Sequence, residues 1–132
     1  MIQYSYQAEP QQKRYTYLER GFRKTYLQFK QEKLTDEQLE TLAKDLGIDN
    51  DNYFKQIYAY RYYCIEMPLG VDDYDSEVNA IISAKYQSDV MQSVINNYLL
   101  NPDDDKAKRE FKEMQDWRKA AKEFASDIKP KS

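Results

Sequence analysis

Apolar side chains recur along most of this chain at intervals of three and four residues, the spacing that lines one face of a helix. Leu18, Phe22, Tyr26 and Phe29 form such a stripe within residues 10–33, where Pro10 suits a first helical position. Leu39, Leu42, Ala43 and Leu46 form a second within 35–47. That segment also carries the strongest local signals. Thr35 and Gln38 have capping-box spacing, Leu34 and Leu39 that of a hydrophobic staple, and Gly47 suits a left-handed end. Phe54, Ile57, Tyr58, Cys64 and Ile65 share a face over 51–67, stopped by Pro68. Aromatic-rich 51–67 could also read as strand, but the alternation of Tyr58, Tyr60 and Tyr62 is short, and the spacing predicts helix. Val78, Ile81, Ile82, Met91, Val94 and Ile95 line 76–100, and Ala107, Phe111, Met114, Trp117, Ala121, Phe124 and Ile128 line 102–128.

The expectation is therefore an all-α fold. It is a single-domain bundle of about five helices over residues 1–132, with a nine-residue N-terminal extension and a long C-terminal helix. Gly21, inside the first predicted helix, reads as a close helix crossing.

Composition removes whole classes of chemistry. The chain has no histidine and one cysteine, Cys64. Histidine-dependent triads, histidine-ligated metals, cysteine zinc clusters and internal disulfides are thus excluded within the chain. Three scattered glycines offer no phosphate loop. Catalytic residues, a resident metal and a cofactor are accordingly not expected. No apolar run approaches the ~18 residues of a membrane span, and the opening residues lack a secretory pattern. The expected setting is the cytoplasm, or a host cytoplasm if the Tyr/Asn/Lys-rich style reflects a phage or mobile element.

Charge is uneven. Residues 1–34 carry seven Lys/Arg against three Asp/Glu, residues 35–100 four against twelve, and residues 101–132 nine against eight. This argues against a simple polyanion binder. The segment 36–47 resembles the first helix and turn of a helix-turn-helix, with Ala43 and Gly47 allowing a tight crossing. A DNA reader using 36–63 is the alternative function. Its would-be recognition helix opens on Asp49, Asn50, Asp51 and Asn52, the wrong charge for phosphate.

The leading functional expectation is a small non-enzymatic factor (adaptor, inhibitor or assembly protein) that binds another protein, with homo-oligomerisation left open. Thirteen tyrosines suggest an interface. Tyr60 and Tyr63, flanked by Lys55, are the predicted anchor, beside an acidic loop at Asp72 and Asp73. The second predicted contact patch is basic: Arg14, Arg20, Arg23 and Lys24. The crowding of Asp72, Asp73, Asp75 and Glu77 lacks the glycine and terminal glutamate of an EF-hand loop.

Overall fold

The computed structural model of the chain describes residues 2–68 and 73–127. It divides into two compact units, residues 2–66 and residues 67–132. The first is built on a four-stranded antiparallel sheet, so the fold is mixed α/β and the all-α expectation is overturned. The strands are β1 (Tyr4–Gln7), β2 (Arg14–Glu19), β3 (Phe22–Lys33) and β4 (Tyr60–Glu66), in spatial order β1-β4-β3-β2. Two helices accompany them, α1 (Asp36–Leu46) and α2 (Asn52–Ile57).

The predicted helix over 10–33 is instead the β2–β3 hairpin. Its turn is Arg20-Gly21, both with positive φ (52° and 81°), closed by the Glu19–Phe22 pair. Positive φ at both turn residues gives the twist that a two-residue hairpin needs, and glycine supplies it without strain. Gly21 is thus a turn residue and not a helix crossing. Leu18 and Phe22, half of the supposed helical stripe, stand 76% and 60% exposed at this tip. Lys30 also has positive φ (54°) and sits in an irregularity where the β3–β4 register shifts between Phe29 and Glu32. This bulge lets one long strand bend while it stays paired.

The predicted helix over 51–67 is overturned in its second half. α2 ends at Ile57, and Tyr60–Glu66 is β4, paired to β3 on one side and β1 on the other. The tyrosines explain the choice. Across the sheet Tyr4 stacks on Tyr63 (4.4 Å between ring centroids) and Tyr17 on Tyr26 (6.0 Å). Such cross-strand aromatic pairs are the units that stabilise sheets. They outweigh a helical apolar pattern that was only partial.

The helical elements of this unit follow local chemistry. Thr35 caps α1 in a full capping box with Gln38, and Gly47 ends it in the left-handed conformation. Leu34, Leu39, Ala43 and Phe54 form a buried cluster, with Tyr6, Leu42 and Tyr58 packed against it. Asp51 caps α2 through the N–H of Phe54 (2.8 Å).

The second unit holds α3 (Tyr74–Lys85), α4 (Ser88–Leu100) and α5 (Asp105–Ala125). The single helix predicted over 76–100 is broken at Tyr86 and Gln87, where Tyr86 takes an extended backbone (φ −124°, ψ 98°). Asp104 caps α5 through the N–H of Ala107. Ala107, Met114, Trp117, Ala121 and Ala125 form its buried stripe. Trp117 donates its indole N–H to the Ile81 carbonyl (2.9 Å), so the largest buried side chain keeps no unsatisfied donor.

Candidate functional site

One end of the sheet forms an open hollow of about 670 Å³. β1 ends there at Gln7, β3 at Lys33, and β4 begins at Tyr60; Gln7 and Lys33 both stand opposite Tyr60 in the register. Past β1 the chain contributes Ala8 and Glu9, and Ala59 lies just before β4. α2 closes the hollow with Asn52, Lys55 and Gln56. These three are spaced i, i+3 and i+4, so one helical face presents them together. The ladder is extended at this point by the Leu34 N–H, which donates to the Ala59 carbonyl (2.9 Å).

Lys33 and Lys55 both line this hollow, and among the described residues neither has an ion-pair partner. Two ammonium groups, two primary amides and the Tyr60 phenol face a common space, against one carboxylate, Glu9. Such a set can hold an anionic group by charge and orient it by hydrogen bonds from the amides.

A second cleft, of about 360 Å³, lies between α1 and the sheet and is lined by Tyr6, Glu37, Thr41, Asp45 and Arg61 among others. Its one cation is engaged. Arg61 pairs with Glu32 and lies over the Tyr4 ring (4.4 Å). Burial pushes the Tyr6 phenol up from its ordinary range. With two carboxylates and a committed guanidinium, this cleft is a poorer anion site.

The residues expected from the sequence are distributed as follows. Tyr60 and Lys55 both line the hollow. Tyr63 does not join them, because residues three apart on a strand lie on opposite faces. It stacks on Tyr4, and its phenol is pushed up to about 12 by burial and by its hydrogen bond to Tyr4. Asp72 lies outside the described residues. Asp73, in the second unit, caps α3, and the Ser76 N–H bonded to it holds its carboxyl below the usual range.

The basic patch is dispersed. Arg14 and Arg23 stand on the sheet face of Leu27, Arg20 is in the hairpin turn, and Lys24 is on the opposite face. Lys24 is only 8% exposed and forms an ion pair with Glu66. It is a structural residue of the sheet. Lys33, Asn52 and Gln56 line the candidate site and are not singled out by the sequence. The i, i+3, i+4 spacing of Asn52, Lys55 and Gln56 was visible from the Asp51 cap; the pairing that brings Lys33 to Tyr60 was not.

The segment 36–63 begins as the helix and turn of a DNA reader, then departs from it. α2 has six residues and leads into β4, so no recognition helix follows the turn. Among the described residues no group of histidine, cysteine and carboxylate side chains could hold a metal ion, and no helix is long and apolar enough to cross a membrane. No family model matches the chain, and no curated protein or solved structure is significantly similar to it.

Proposed function

We propose that this chain is a small protein-binding factor that takes an acidic segment of its partner into the hollow at the end of the sheet. The observation that carries this reading is the pair Lys33 and Lys55, two cations without an ion-pair partner among the described residues, facing one space with Asn52 and Gln56. A carboxylate entering there gains two charge-assisted contacts, and the amides fix the orientation of the segment around it. Ala8 and Ala59 leave room for the backbone of an extended peptide. A long polyanion such as nucleic acid fits less well. Asp49 and Asp51 precede α2, and Glu9 shares the hollow, so only a short acidic stretch meets a favourable field. In this reading the protein is non-enzymatic and works in the cytoplasm, where a free thiol such as that of Cys64 is kept reduced.

The test is fluorescence anisotropy with a labelled peptide bearing two or three adjacent carboxylates. Binding weakens with added salt, as exposed charge contacts do. Reversing both cations, Lys33→Glu with Lys55→Glu, lowers affinity by about tenfold or more. Reversing two exposed lysines of α5, Lys112 and Lys119, makes the same change in net charge and leaves affinity within about twofold. Equal losses from both double variants would reduce the effect to overall charge and sink the reading.

A further inference from the structure

The outer edge of β2 is complementary to itself, and we propose that it pairs with the β2 edge of a second copy of this chain. This surface is separate from the hollow, and the inference goes beyond the function proposed above.

β2 is an edge strand: β3 lies on one side of it, and among the described residues no strand lies on the other. The hydrogen bonding fixes which backbone groups face outward. The Gln28 N–H donates to the Lys13 carbonyl (2.9 Å), so Lys13 and Gln28 are an opposed, hydrogen-bonded pair in the β2–β3 register. Hydrogen-bonded pairs alternate along an antiparallel ribbon. Lys13, Tyr15, Tyr17 and Glu19 therefore turn their backbone groups toward β3, while those of Thr16 and Leu18 turn outward. The strand lacks two of the usual protections of an edge. It has no proline and no bulge, and Tyr15 and Leu18 are 52% and 76% exposed.

Antiparallel pairing of this edge about a two-fold axis at Thr16 satisfies the parity. Thr16 meets Thr16 of the second copy, and Leu18 meets Arg14, all at outward-facing positions. Between them Tyr15 meets Tyr17, which continues onto the second copy the aromatic row that Tyr17 and Tyr26 begin. At each end Lys13 meets Glu19, so opposite charges face one another twice. Moving the register by two residues in one direction sets Arg14 against Arg20 of the other copy, a like-charge contact. Moving it by two in the other direction loses the Lys13–Glu19 pairs. Pairing centred on Thr16 is thus the register the sequence selects. A ribbon this short buries much less than the ~800 Å² per partner of a standard interface. The dimer is accordingly weak, with a dissociation constant of micromolar order or above.

Sedimentation equilibrium of the full chain, from about 1 to 300 µM, tests this. The wild type is expected to pass from monomer to dimer across that range. Thr16→Pro removes an outward N–H without touching the β2–β3 ladder. It is expected to stay monomeric with an unchanged circular dichroism spectrum. Glu19→Lys weakens association about tenfold, because symmetry repeats the change at both ends, and Lys13→Glu added to it restores association. Should Thr16→Pro fail to fold, the charge exchange decides alone. A wild type that remains monomeric at the highest concentration, a dimer indifferent to Thr16→Pro, or a charge exchange that restores nothing would each overturn the proposal.

Discussion

Tyr17 and Tyr63 hold their protons more tightly than ordinary phenols. Tyr17 is pushed up to about 12, chiefly by its hydrogen bond to Tyr26, and Tyr63 to a similar value by burial and Tyr4. A phenol whose folded value lies above its unfolded one contributes stability that is complete below about pH 10 and fades as pH rises toward about 12. The ultraviolet titration of the phenolates is therefore expected to include a late step near pH 12 from these two. Tyr26→Phe should remove Tyr17 from that late step. A titration without the late step would show that the Tyr17–Tyr26 and Tyr4–Tyr63 pairs do not form.

Also at this scale, Arg20 occupies a left-handed conformation that costs a side chain about 1–2 kcal/mol. Asparagine tolerates it better and precedes glycine in the most favoured two-residue turns. Arg20→Asn is expected to stabilise the hairpin by up to about 1 kcal/mol, read from the chemical-denaturation midpoint. A loss of stability would mean that the turn is of another type.

Among the elements, helices with local start and stop signals were legible and strands were not. Thr35, Gln38 and Gly47 specify the two ends of α1 by contacts within a few residues, so sequence alone suffices. The α5 stripe is equally plain: Met114, Trp117 and Ala121 recur at helical spacing and are buried. Trp117→Ala is expected to destabilise the second unit by about 3–5 kcal/mol, since it empties a large buried volume and orphans the Ile81 contact. An unmoved thermal transition would place Trp117 outside the core.

β3 hid itself because both its faces are covered. Lys24, Thr25, Leu27, Gln28 and Phe29 are all buried, so the alternation that marks a one-sided strand is lost. The buried polar members are also part of the disguise. Lys24 reads as a surface cation until Glu66, forty-two residues on, is found beside it. β4 shows its alternation only briefly, and its tyrosines resemble an interface although Tyr62 and Tyr63 find partners on β1 within the sheet. The expected pairing of Tyr60 with Tyr63 is separated by the same strand. Tyr60 and Tyr63 are near neighbours on a helix but point to opposite sides of a strand. Lys55 and Tyr60 share one hollow because the short α2 and the start of β4 converge on it.

At the scale of the whole molecule, the first unit joins a tyrosine-paired sheet to a capped helical hairpin, and the second is a three-helix unit. The tyrosine count, which sequence composition attributes to a binding surface, is largely consumed by the sheet. The recognition surface we propose is smaller and more polar: Lys33, Asn52, Lys55, Gln56 and Tyr60 around one space. The most direct test of that assignment is a heteronuclear NMR titration of the labelled protein with the short acidic peptide. The shifts are expected to concentrate on those five residues and on Ala8 and Glu9. Shifts that instead gather on the α1 cleft around Thr41 and Arg61, or spread evenly over every exposed lysine, would contradict it.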